Sequence, residues 1–264
     1  MQPALSVTSA QLTFWIAAFL WPFVRMLALI STAPIFGEAI VQRPLKVGLA
    51  ALLAMAIGPT LGPMPNVPLV SAGGVWILMQ QVIIGGAMGF CMKMVFAAVQ
   101  SAGDYAGLQM GLSFASFFDP TSGGNTMVLS RLLNMLAMLI FLALDGHLMV
   151  IATLAESFHI LPISDAPLSA NGWYVLVLAG ANVFSAGLML ALPLIAALLT
   201  LNLAMGILNR ASPQLSIFAV GFPLTLLGGI VVLQMLIPHL GVFLEREFAW
   251  GMGTMLGVVR GLRG

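Results

Sequence analysis

The stretch WYVLVLAGANVFSAGLMLALPLIAALLTLNLAMGIL, from Trp173 to Leu208, runs 36 residues without an Asp, Glu, Lys or Arg. An uncharged apolar run beyond about 18 residues reads as a membrane helix. As a single helix this one would extend about 54 Å, against a hydrocarbon core of about 30 Å. Tilt and a kink at Pro193 absorb part of the excess. Either the run splits into shorter pieces, or it continues as helix beyond the bilayer, covered by partner subunits. The scarcity of polar interruptions favours the second.

Working outward, five further apolar stretches run from Leu12 to Ile35, Leu45 to Leu61, Val70 to Val99, Leu132 to Leu161 and Gln214 to Leu244. They are continuous rather than alternating, which argues against a β-barrel. Turn-forming residues separate them: Gly62 to Pro68, Leu161 to Gly172, and Asn209 to Pro213. The 264 residues are 61% apolar and include nine Lys or Arg and eight Asp or Glu. A soluble domain of this length carries about 66 charged residues. So few charges cannot cover a water-facing surface, and so apolar a chain with a net charge of +1 is not disordered. The expected fold is an all-α integral membrane protein of about six long, kinked apolar helices.

The near-neutral charge leaves no basic footprint for nucleic acid. Cys91 is the sole cysteine and reads as a packing residue. Arg25, the first cation, stands inside an apolar run broken by Pro22, which favours an uncleaved first helix. His147, His159 and His239 fall in separate places, so no metal site is expected, and no phosphate-cradling glycine motif or other cofactor site occurs. Lys and Arg concentrate in alternate connections, near Arg43 and Lys46, between Lys93 and Arg131, and at Arg210. The positive-inside rule makes these cytoplasmic. The charged triplet Glu245-Arg246-Glu247 ends the last long run, and Phe248 to Val259 is too short to be an ordinary span by itself.

One region does not look like a span. Gly103, Gly107 and Gly111 recur every four residues around Asp104, a spacing that lets helix backbones approach closely. Phe114, Phe117 and Phe118 follow, then Asp119-Pro120 and Gly123-Gly124. This is turn chemistry with an apolar tip, either buried in a partner or occluding an apolar passage. Gly111-Leu112-Ser113-Phe114 only superficially resembles a rhomboid serine motif, because Phe114 replaces the glycine that follows the serine. A secondary transporter of small solutes or ions is the stronger alternative, since interrupted helices with intramembrane charges are its signature. Arg25, Lys93, Asp104, Arg131, Asp145 and Glu156 are the candidate charges, but most lie near helix ends and the halves show no matched broken helices. Arg25, plainly mid-run, is expected to pair with an acid of this chain or a partner.

Several segments carry a resemblance to the FliR family of flagellar export proteins, related to the injectisome export-gate subunit. They are Ala33-Pro34-Ile35-Phe36; Gly103 through Asp119-Pro120 with Ser122, Asn125 and Arg131; Asp145-Gly146-His147; Ser157-Phe158 with Leu161-Pro162; and Asn209 to Leu215 leading into Phe218 to Pro223. The resemblance implies a non-enzymatic subunit of a hetero-oligomeric gate with FliP and FliQ homologues, working with FlhB and FlhA. The gate would pass unfolded flagellar subunits across the inner membrane at the flagellar basal body, in contact with membrane lipid. It further implies a FliP-like part over residues 1–165 and a FliQ-like hairpin with a tail over 166–264. A channel plug would lie at about 110–125, with Met110, Phe114, Phe117, Phe118, Asp119, Pro120, Gly123 and Gly124 as its residues. The cytoplasmic hairpin tip would hold Arg210, Ser212 and Pro213.

Overall fold

The computed structural model describes residues 9–62, 64–65, 67–112, 128–211 and 217–264. Within these the chain is helical, without a strand. Among the described residues seven α-helices occur in the order α1 (Ser9–Thr32), α2 (Arg43–Ile57), α3 (Ala72–Gln109), α4 (Val128–Ala143), α5 (Gly146–Ile160), α6 (Asn171–Ala211) and α7 (Ile217–Arg263), with a 3₁₀ turn at Gly58–Thr60. Four are long and apolar enough to cross a membrane, or five if α4 and α5 count as one bent span. At 15 residues, α2 reaches only about 22 Å.

Local chemistry sets the ends. Pro44 opens α2, where its missing N–H leaves nothing unpaired. The Ser71 hydroxyl accepts a hydrogen bond from the Gly74 N–H at 3.1 Å, capping α3. The C-terminus of α3 closes on Gly111, at φ +77°: the Gly111 N–H donates to the Leu108 carbonyl and the Leu112 N–H to the Gly107 carbonyl. This double closure needs a left-handed residue, which glycine adopts without strain.

The long runs resolve in favour of continuity. With 41 and 47 residues, α6 and α7 are about 62 and 70 Å long, twice a hydrocarbon core. Pro193, Pro223 and Pro238 lie inside them without ending them. The Phe248 to Val259 piece is part of α7, because the charges before it are accommodated. Arg246 reaches over the Phe243 ring at 5.4 Å, and Glu247 accepts a hydrogen bond from Asn182 Nδ2 at 3.0 Å. The Leu132 to Leu161 run, by contrast, breaks at Asp145 (φ +54°), and α4 and α5 meet at 68°.

The chain divides into two compact units. The first comprises Met1–Lys93, His147–Ala179 and Trp250–Gly264. Its core holds Trp21, Met26, Leu29 and Ile30 of α1, Ile77, Ile84, Met88 and Met92 of α3, and Leu154 of α5. Here α1 and α3 approach so closely that a Cβ on Gly85 would stand 2.2 Å from the Arg25 carbonyl oxygen. The start of α6 also meets the end of α7: a Cβ on Gly261 would lie 2.8 Å from Gly172 Cα, and the Ser169 N–H donates to the Leu262 carbonyl at 2.9 Å.

The second unit comprises Met94–Gly146 and Gly180–Ala249. Phe96 and Phe248 stack there and both meet Phe141 edge to face, with ring centroids 4.9–5.6 Å apart. Ala106, Met110, Leu129, Leu194 and Leu198 form an apolar cluster. A cavity of about 20 Å³, lined wholly by apolar side chains, adjoins it between Ala102, Ala106, Leu133, Leu194, Leu236 and Leu240. The Asn182–Glu247 bond and the approach of Gly228 to Leu201 keep α6 and α7 antiparallel within this unit.

Candidate functional site

The end of α3 and the start of α4 flank residues 113–127. Gly103 is pressed on α4: an added Cβ would stand 2.3 Å from Ser130 Cα and 2.7 Å from its nitrogen. Only a residue without a side chain allows that approach. The neighbouring Asp104 carboxylate accepts a hydrogen bond from the fully buried Ser130 hydroxyl. One turn on, the Gly107 carbonyl is spent in closing the helix, and Gly111 ends it at positive φ. Met110 is buried, 3% exposed, in the apolar cluster. Arg131 begins the exposed side of α4, next to Ser130. Phe114, Phe117, Phe118, Asp119, Pro120, Gly123 and Gly124 lie outside the described residues, as do Ser212 and Pro213. Arg210 is exposed in the last turn of α6, where a cation meets the negative end of the helix dipole.

Arg25 corrects an expectation. Its guanidinium is fully buried, and the acid expected beside it is replaced by neutral acceptors. Nε donates to Gln81 Oε1 at 2.7 Å, one terminal nitrogen to Ser157 Oγ at 3.3 Å and the other to the Leu161 carbonyl at 3.0 Å. The Phe158 ring lies 4.1 Å beneath the guanidinium carbon. The planar, weakly hydrated guanidinium suits such a cage, because five fixed donors and a π-face contact spread its charge without a counter-ion. The cage ties α1, α3 and α5 together within the first unit. Of the other candidate charges, Lys93, Arg131, Asp145 and Glu156 are exposed and Asp104 is half-buried.

Sequence reasoning missed Gln81 and Ser157 as the Arg25 cage, Gly229 as the surface under Met110, and the Asn182–Glu247 pair. Of the last pair, Asn182 left a signal as a polar point in an otherwise apolar run, and Glu247 as a member of the charged triplet.

A comparison with known families matches residues 16–250 to the family described as "Bacterial export proteins, family 1". The chain belongs to this family. It is similar to the "Flagellar biosynthetic protein FliR" of Pectobacterium carotovorum subsp. carotovorum, 50% identical over 245 residues covering 93% of this chain and 94% of that protein. The protein of the same description from Escherichia coli (strain K12) is 51% identical over 245 residues, with the same coverage. The one from Bacillus subtilis (strain 168) is 27% identical over 241 residues, 90% of this chain and 93% of that one. Family membership and the candidate spans together make the chain a multi-pass inner-membrane component of flagellar export, sited at the flagellar basal body.

Proposed function

We propose that the chain is a non-enzymatic core subunit of the flagellar type III export gate, which forms and plugs the channel that passes unfolded flagellar subunits across the inner membrane. It assembles with FliP and FliQ homologues, and the assembly works with FlhB and FlhA. Residues 1–165 stand in for a FliP protomer and 166–264 for a FliQ-like hairpin and tail, a division by likeness to partners rather than by compactness.

The observation that carries this reading is the bareness of the hairpin. Within their most apolar windows, 67% of α3 is buried in the chain but only 17% of α6 and 11% of α7. Helices about 62 and 70 Å long overrun the bilayer, so their apolar flanks need protein cover where lipid ends. Neighbouring subunits supply that cover. The transporter alternative draws no support from the charged residues, because the cation buried among the described residues, Arg25, is already enclosed by neutral groups of its own chain.

A passage wide enough for an unfolded chain leaks ions unless it is closed. Phe114, Phe117 and Phe118 close it by excluding water, since apolar constrictions gate by dewetting. Such a seal has no specific bond to break and parts around any side chain. The test replaces the three phenylalanines together with Ala in a tagged chain co-expressed with its FliP and FliQ homologues. Retained complex yield with raised ion permeability is expected. Lost assembly with a tight membrane would overturn the plug, and a tagged chain recovered stable and alone would overturn the gate.

A further inference from the structure

Between α1 and α2, the motif Ala33-Pro34-Ile35-Phe36 folds into an unusual turn. Ile35 stands at φ +70°, and the Phe36 N–H donates to the Pro34 carbonyl at 2.9 Å, so the chain reverses over three residues. This is a γ-turn of the rare, strained hand, centred on a β-branched residue, for which a positive φ is a genuine outlier. Two contacts hold it. The Gly37 N–H donates to the Ala33 carbonyl at 2.7 Å, in a space so tight that a Cβ on Gly37 would stand 2.6 Å from that oxygen. From the first turn of α2, Lys46 Nζ donates to the Gly37 and Glu38 carbonyls at 2.9 and 3.1 Å. Just beyond this clamp Ile40 is 92% exposed, and Arg43, exposed three residues on, makes no ion pair among the described residues.

Strain survives where the surroundings over-determine it, and it collects at sites that bind or switch. A bilayer gives it no use, because a fluid lipid surface accepts an isoleucine in any conformation. A pocket of fixed shape does, since a side chain presented already in place loses little freedom on binding. The positive-inside rule assigns this connection, with Arg43 and Lys46, to the cytoplasm. We propose that the α1–α2 connection is a preformed docking knob for a cytoplasmic protein partner. The partner's site is an apolar pocket that takes the Ile40 side chain, rimmed by a carboxylate that pairs with Arg43. The turn at Ile35 and the Lys46 clamp position the knob. This goes beyond the gate reading and does not depend on how the channel closes.

The test uses the full chain in flagellated cells, with export of flagellar subunits and yield of the complex with FliP and FliQ homologues measured on the same strains. Ile40→Ala and Ile40→Asp should each lower export about tenfold or more at unchanged yield, as loss of an interface anchor does. Leu52→Ala, at another bare position of α2, should change neither. Ile35→Gly and Lys46→Met loosen the knob without removing it and should lower export about threefold. Because Ile35→Gly relieves the backbone, its complex should unfold no earlier than the parent, a combination that a merely structural role would not give. Motile revertants of Arg43→Glu should carry an Asp or Glu changed to Lys or Arg in another protein, and that residue identifies the partner. Photoreactive p-benzoylphenylalanine at position 40 should join one polypeptide in the parent and lose that adduct in Lys46→Met. Full export by both Ile40 variants would overturn the knob, as would yield falling in step with export in both. An adduct to phospholipid in place of protein would make the connection a lipid contact and overturn the partner. An adduct indifferent to Lys46→Met would overturn the clamp's part in it, and revertants confined to this chain would overturn the carboxylate rim.

Discussion

Gly103→Ala should separate α3 from α4, and its cost follows from two distances. The new Cβ would lie 2.3 Å from Ser130 Cα and 2.7 Å from Ser130 N, both backbone atoms that no rotamer change can move. Carbon–carbon contact is comfortable at about 3.5–4.0 Å, so the helices must part by more than about 1 Å. Overpacking of this kind costs about 1–3 kcal/mol. Parting the helices also strains the Ser130–Asp104 hydrogen bond, and a bond to a charged group contributes about 1.5–3 kcal/mol. The better helix propensity of alanine returns about 0.5–1 kcal/mol. The net expectation is a loss of about 2–5 kcal/mol. The assay is SDS-induced unfolding of the purified complex, with Gly180→Ala and Gly253→Ala as references. At those two glycines an added Cβ meets nothing within 4 Å, so alanine should be neutral or slightly stabilising. A Gly103→Ala complex that unfolds with the references would refute the close approach and its role in holding the two stems.

Two further outcomes test the buried polar groups. Arg25→Met strands Gln81 Oε1 and the Leu161 carbonyl, while Ser157 Oγ keeps its own bond to the Leu154 carbonyl, so complex yield should fall further than for Arg25→Lys, and adding Gln81→Leu to Arg25→Met should recover part of it. No recovery would show that Gln81 is not a working partner. Glu247→Leu should lower the unfolding midpoint of the complex by stranding the Asn182 amide at a cost of about 1–3 kcal/mol, whereas Glu247→Gln keeps an acceptor and should cost less than half as much. Equal losses in the two would refute the bond.

Much of the architecture could be read from residue order because lipid imposes one rule on every span: backbone groups must be satisfied within the segment, so apolar length reports helix. That rule located all six runs and flagged Trp173 to Leu208 as over-long. It failed where one residue acts. The bend at Asp145 sits in a run that stays apolar on both sides, and a single left-handed residue leaves hydropathy unchanged. Gly111 had the same spacing as Gly103 and Gly107, yet its positive φ makes it a stop. Periodicity shows which face a glycine occupies, not whether the helix survives it. The Arg25 cage was unreadable for another reason. Its acceptors lie 56, 132 and 136 residues away in the chain, and neutral amides, hydroxyls and carbonyls are too common to stand out as partners.

Those separations also set an order of events while the chain is being made. Arg25 enters the membrane within α1 when Gln81 and Ser157 have not been synthesised. At about 5–20 residues per second, Gln81 follows roughly 3–11 s later and Ser157 roughly 7–26 s later. Until then a lone guanidinium in mid-helix opposes insertion by about 2.5–3.5 kcal/mol on the translocon scale. The first helix is therefore provisional during synthesis, able to slide or retreat toward the interface, and becomes a committed span only when α5 arrives to enclose its charge.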